Sequence, residues 1–193
     1  MLAIEYNTNE QLMQYLCNMF KNTIKINTQN QNGNTALMLA IRKSNIDGVK
    51  YICITFKDTI DITKQNTDGY TAFTLAAQYT NIELLHVIYN SFKNKIDINA
   101  EFMQAAEQSN ATILDSLYTA FNNLIDINSF NDKIDIISIL LLAAEKSNVI
   151  FLESLYKIFK ETIDIHAIFM NITRSNTNIE VIQCLCKTFK QEI

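Results

Sequence analysis

Residues Lys64–Asn99 read KQNTDGYTAFTLAAQYTNIELLHVIYNSFKNKIDIN, and four local signals follow one another along them. Asp68-Gly69 is a tight-turn pair, because both residues tolerate positive φ. Thr71–Thr80 is short and dense in small residues, which let one helix approach another closely. From Asn81 to Phe92 the apolar residues Ile82, Leu84, Leu85, Val87, Ile88, Tyr89 and Phe92 recur at steps of three and four, the period of a helix face. Asn81 opens this helix as its N-cap, its side-chain oxygen accepting an orphan backbone N–H. Glu83 follows in the first turn, where the helix dipole favours negative charge. The stretch closes on Ile96-Asp97-Ile98, an alternation of apolar and polar residues that reads as an extended connector.

The same signals return along the chain. An asparagine and a phenylalanine stand eleven residues apart at Asn9/Phe20, Asn45/Phe56, Asn81/Phe92, Asn110/Phe121, Asn148/Phe159 and Asn178/Phe189. Four residues after each phenylalanine comes an isoleucine: Ile24, Ile60, Ile96, Ile125, Ile163 and Ile193. Small-residue segments at 35–44, 101–109 and 138–147 precede the longer helices, and Asn32-Gly33-Asn34 repeats the turn. The chain therefore divides into about six units, near 1–27, 28–63, 64–99, 100–128, 129–166 and 167–193. A helix pair this small cannot bury its apolar faces alone. Stacked copies bury them against one another, so the expected fold is an all-α solenoid forming one domain over 1–193.

The stretches NQNGNTALMLAIRKSNIDGVKYI and NTDGYTAFTLAAQYTNIELLHVI resemble the ankyrin repeat, with its turn glycine, Thr-Pro-Leu-His and Leu-Ala-Ala hallmarks. The resemblance is specific over 28–99 and weaker, though in register, elsewhere. Ala36 and Ala72 replace the proline of the motif, and Met38 and Thr74 replace its histidine. A Phe-Lys-x-x-Ile-Asp-Ile connector replaces the usual helix-ending Gly-Ala-Asp segment. It stretches the period from about 33 residues to 36. The units at 100–128 and 167–193 lack the hairpin, which interrupts the binding ridge. A TPR-like array, of period about 34, fits less well, because its helices are similar in length and joined by tight turns.

The resemblance implies that a partner binds on the concave side, at hairpin tips and at the C-terminal end of each short helix. Carried onto matching positions, this selects Gln31, Asn32, Asn34, Arg42 and Lys43 in the second unit. It selects Thr67, Asp68, Tyr70, Gln78 and Tyr79 in the third, Glu107 and Gln108 in the fourth, and Glu145 and Lys146 in the fifth. Tyr70 and Tyr79 are the expected anchors, since an exposed tyrosine offers a large apolar area with a polar tip.

Composition narrows the functional class. The chain has 193 residues, a formal net charge of -4, no proline and three glycines. Nucleic acid is not the expected partner, because phosphate binding draws on concentrated Lys and Arg. The N-terminus MLAIEYNTNE has no basic n-region or continuous apolar core, so it does not read as a signal peptide. The most apolar run, Ile134–Ala144, is too short to span a bilayer and carries Asp135. Cys17, Cys53, Cys184 and Cys186 then read as reduced thiols of a cytoplasmic protein, or of host cytosol if the chain serves an intracellular pathogen. Over-use of Asn, Ile and Lys is what an AT-rich genome would produce.

No catalytic, cofactor or metal site is expected. Cys17 and Cys53 occupy a repeat position that Tyr89, Tyr118 and Tyr156 fill elsewhere, so they read as packing residues. The side chains of Cys184 and Cys186 diverge by about 200° on a helix, a poor metal clamp. His86 and His166 have no Ser, Cys or carboxylate partner at triad or metal spacing, and there is no Gly-rich phosphate loop. The aspartates of the Ile-Asp-Ile segments and lysines such as Lys21, Lys57 and Lys93 read as solvated edges.

The expected function is non-catalytic protein–protein recognition through the concave face, with no small-molecule substrate and no membrane. The alternative is a spacer within a larger array, or self-association through terminal units. The last of these, IEVIQCLCKTF, is as apolar as the interior ones.

Overall fold

The computed structural model describes residues 10–125 and 149–159, with Ile179, Gln183, Cys186 and Lys187. The segment 138–147 with Glu145 and Lys146, His166 and Cys184 lie outside the described residues. The chain divides into two compact units, Met1–Asp97 and Ile98–Ile193. The division falls within the Ile96-Asp97-Ile98 connector.

The first unit carries α1 (Glu10–Phe20), α2 (Ala36–Arg42), α3 (Ile46–Thr55), α4 (Ala72–Gln78) and α5 (Ile82–Phe92). The second carries α6 (Ile98–Glu107), α7 (Ala111–Phe121) and α8 (Val149–Phe159). Among the described residues there is no strand. In the first unit the short helix α2 packs on α3, and α4 on α5. Short helix meets short helix (α2 on α4) and long meets long (α3 on α5), which is the layering of a helix-pair stack. In the second unit α6 packs on α7, and α7 on α8.

The N-terminal ends of the short helices α2 and α4 are closed by side chains that the repeat supplies. Thr35 caps α2 by accepting from Met38 N at 3.4 Å, and Thr71 caps α4 by accepting from Thr74 N at 3.1 Å. The Thr74 hydroxyl accepts in return from Thr71 N at 2.8 Å, so the residue replacing the motif histidine completes a capping box.

At the other end each short helix stops in a Schellman turn. Ser44 N donates to Ile41 O and Asn45 N to Ala40 O, a pattern repeated at Thr80/Asn81 and Ser109/Asn110. The middle residues Ser44, Thr80 and Ser109 are left-handed, with φ of 51°, 53° and 54°. The asparagine that ends this turn also begins the next helix. Asn45, Asn81 and Asn110 accept through Oδ1 from Gly48, Leu84 and Ile113 N at 2.8, 3.0 and 3.1 Å. The asparagines therefore cap the longer helices as their spacing predicts, and each also closes the shorter one.

The core includes the predicted phenylalanine and isoleucine ladders together with the apolar residues of the short helices, Leu37, Ile41, Phe73 and Phe102 among them. Phe56, Phe92, Phe121 and Phe159 are buried, as are Ile60, Ile62, Ile96, Ile98 and Ile125 of the connectors, while Asp61 and Asp97 are exposed. Each such side chain contributes roughly 1.5–3 kcal/mol of burial energy. One boundary differs from expectation. Ile98 was expected in an extended connector but is the first residue of α6, which runs for 10 residues against 7 for α2 and α4. No glycine turn or threonine cap intervenes there, so the helix starts inside the connector.

Candidate functional site

The loops preceding α2 and α4 are built alike. Asn30 N donates to Asn34 O and Gly33 N to Asn30 O; Asn66 and Gly69 do the same with Tyr70 and Asn66. The side chains of Asn30 and Asn66 hold these fingers from inside. Asn30 Oδ1 accepts from Asn32 N at 3.1 Å and Asn34 N at 2.9 Å, and Asn66 Oδ1 from Asp68 N at 3.0 Å and Tyr70 N at 2.9 Å. Adjacent fingers are stapled together. Gln29 Nε2 donates to Gln65 O at 2.7 Å, and Asn66 Nδ2 to Asn34 Oδ1 at 3.3 Å.

Two recesses lie between the fingers and the C-terminal ends of α2 and α4. One, of about 260 Å³, is bounded by Arg42, Asp68, Tyr70, Gln78 and Tyr79 over a floor of Asn66 and Leu75. The other, of about 270 Å³, is bounded by Asn32, Arg42, Lys43 and Tyr79 over Asn30 and Leu39. Arg42 and Tyr79 border both, so the two form one surface. Lys43 and Tyr79 are the C-cap residues of α2 and α4. The left-handed turns that follow them fix where these side chains leave the helix ends.

The structure thus gathers seven of the predicted residues, Asn32, Arg42, Lys43, Asp68, Tyr70, Gln78 and Tyr79, around one surface. Tyr79 is 44% exposed, and Tyr70 is half-buried. Gln31 and Thr67 are exposed but border neither recess; Thr67 is engaged in joining the fingers. Gln108 is exposed in the second unit, at the C-terminal end of α6. Glu107 ends α6, and its side chain lies outside the described residues.

Asn34 corrects the expectation. It is 1% exposed, because its side chain is turned between the two fingers to meet Asn66, and it presents nothing to a partner. The residues missed by sequence reasoning are the floor, Asn30, Asn66, Leu39 and Leu75. The asparagine pair does carry a signal: each sits two residues before the Asn-Gly or Asp-Gly turn, at matching repeat positions, where an Asx turn is favoured.

A third recess of about 250 Å³ lies in the first unit at the C-terminal ends of α3 and α5, with Lys57, Lys93 and Lys95 at its edge. Lys95 Nζ stands 6.0 Å from the Phe92 ring centroid. Helix C-termini present carbonyl oxygens, which favour cations and oppose an anion there, so these lysines complement the helix ends. Cys53, at the repeat position shared with tyrosine, is buried, whereas Cys186 is exposed. Among the described residues no group of three or more His, Cys, Asp or Glu could hold a metal ion. No described helix is long and apolar enough to cross a membrane.

Comparison with known proteins places this geometry. The family model for ankyrin repeats (3 copies) matches residues 1–101. Among solved structures, the ankyrin repeat domain of Bcl-3, described as a unique member of the IkappaB protein family, is similar with a TM-score of 0.58. It is 14% identical, over 97% of this chain and 84% of that one. A chain from the complex of Bd0816, a predatory endopeptidase of Bdellovibrio bacteriovorus, with immunity protein Bd3460 is similar with a TM-score of 0.50. It is 18% identical, over 96% of this chain and 94% of that one. At these identities the likeness is one of fold. No curated protein matches the chain.

Proposed function

Because the chain belongs to the ankyrin-repeat family, whose members are generally protein–protein interaction modules, we propose that it is a non-catalytic recognition module. Its binding surface is the rim of fingers and short-helix ends between residues 31 and 79. The observation that supports this is the pair of recesses sharing Arg42 and Tyr79, bordered by residues from two consecutive repeats. A partner laid across both would meet an aromatic anchor, two cations and the fingers' polar tips. A chain of similar fold comes from a protein–protein complex, that of Bd0816 with its immunity protein. Nucleic acid and small-molecule substrates do not enter this reading. The free thiols of Cys17, Cys53 and Cys186 suit a reducing, cytoplasmic compartment.

The test is capture of partners from a cell extract on immobilised wild-type chain and on a Tyr70→Ala/Tyr79→Ala variant. Loss of the captured proteins supports the rim as the binding surface; unchanged capture of every one sinks it.

A second reading, self-association, has its own observation. On α1, Tyr15, Met19 and Phe20 are 60%, 61% and 51% exposed, although the equivalents of Phe20 are buried in every later described repeat. Light scattering over a concentration series separates the two: a mass that stays monomeric rules self-association out.

A further inference from the structure

We propose that the rim takes an acidic peptide segment, with a carboxylate seated against Arg42 and an adjoining large apolar or aromatic side chain laid on Tyr79. This names the partner class of the surface proposed above and rests on that assignment. Arg42 borders both recesses, Lys43 one and Asp68 the other. The local balance is therefore two positive charges against one negative, on a chain whose formal net charge is -4.

The two cations are also unspent. Both are exposed, and among the described residues neither forms an ion pair, whereas Lys50 pairs with Glu83 at 3.1 Å. Nor is Arg42 needed to satisfy the end of its own helix. The carbonyls of Leu39, Ala40 and Ile41 already accept from Lys43, Asn45 and Ser44 N. The guanidinium keeps its planar fork of donors for a ligand, and a carboxylate matches that fork with two parallel hydrogen bonds. The net negative charge elsewhere on the chain does not prevent this, because charges beyond about 8 Å are screened at physiological salt. At the other lysine-edged recess, lined by Lys57, Lys93 and Lys95, the carbonyls of two helix C-termini oppose an anion.

The test screens a display library of random short peptides on the full chain at physiological salt. It is run in parallel on wild type, on Arg42→Glu/Lys43→Glu and on Tyr79→Ala, with far-UV circular dichroism confirming each fold. Wild type is expected to enrich peptides with Asp or Glu beside an aromatic or large aliphatic residue. The charge-reversed variant is expected to enrich Lys and Arg instead. A synthetic copy of a wild-type-selected peptide should bind Arg42→Gln at least about tenfold more weakly.

Enriched peptides without an acidic excess that still lose binding to Tyr79→Ala overturn this proposal and leave the rim assignment standing. Peptides indifferent to all these variants overturn both. No enrichment overturns the acidic-segment proposal. So does a selected sequence that binds only when phosphorylated, in which case the occupant is a phosphopeptide.

Discussion

The backbone carbonyl of Asn32 accepts two hydrogen bonds from Thr67, one from its N–H and one from its hydroxyl, each 3.1 Å long. This one oxygen brings two consecutive fingers into backbone contact and leaves no room for a side chain at Gly33. A Cβ there would stand 2.8 Å from Thr67 N and 2.9 Å from Asn66 Cα. At Gly69, the matching position one repeat later, a Cβ would meet nothing within 4 Å. Both glycines have positive φ, 70° and 82°.

The two glycines should therefore respond differently to alanine. Gly69→Ala carries only the left-handed backbone cost, roughly 1–2 kcal/mol. Gly33→Ala carries that cost plus displacement of the next finger's backbone, and should lose about 3 kcal/mol or more. Urea unfolding of the two variants measures the difference. Equal losses would mean that the fingers do not touch as described.

The left-handed turns give a stabilising prediction. Thr80 is β-branched and sits at φ 53°, a region where only glycine is free of penalty. Thr80→Gly should raise stability by about 1 kcal/mol, because its backbone turn is already the Schellman geometry glycine prefers. Asn81→Ala, one residue on, should lower stability by about 1 kcal/mol through loss of the bond to Leu84 N. Thermal melts of the pair with opposite signs would locate both functions in adjacent residues.

What could be read from the chain was whatever recurs with an unambiguous chemical preference. Asparagine at Asn45, Asn81 and Asn110 has a strong N-cap preference, and the phenylalanines and connector isoleucines are unambiguous core residues. The turns between helices were not read, because Ser44, Thr80 and Ser109 occupy a position for which glycine is the usual signal. A hydroxyl residue does precede each repeat asparagine, at Thr8, Ser44, Thr80, Ser109, Ser147 and Thr177, and that was the available clue. At the rim, the exposed side chains could be named by repeat position. Asn34 was misplaced because tip and interior of a five-residue finger differ by one residue, and only the contact with Asn66 decides which way the side chain turns. Leu39 and Leu75 lie inside the small-residue segments at 35–44 and 71–80, a pattern that signals close helix approach and does not mark which apolar residue floors a recess.

Repeat position alone does not set the energy of a residue, and the phenylalanine ladder tests this. Phe56 and Phe121 are each 2% exposed, whereas Phe20 is 51% exposed. Phe56→Ala and Phe121→Ala should each cost about 3–5 kcal/mol, as full truncations in a packed core do. Phe20→Ala should cost less than half as much. Denaturant midpoints for the three variants check the ranking; an equally large loss at Phe20 would mean that its ring is covered in solution.

Burial pushes the Cys53 thiol up from an ordinary value of 9.0 to about 12, against a hydrogen bond with the Ser91 side chain that works the other way. Burial also raises Cys17. The folded state thus holds the proton more tightly than the unfolded chain. Below pH 9 the thiol is protonated in both states and its contribution is complete. As pH rises from about 9 towards 12, the unfolded chain ionises first and stability falls. Cys53→Ala should lower stability at neutral pH through the cavity it leaves, yet flatten the decline between about pH 9 and 10.5 relative to wild type. Urea midpoints of both proteins across that range measure the slope, and parallel slopes would show that Cys53 ionises as freely in the fold as out of it. A thiol reagent gives an independent reading at pH 8: exposed Cys186 should react at once, and Cys53 only as fast as the first unit opens.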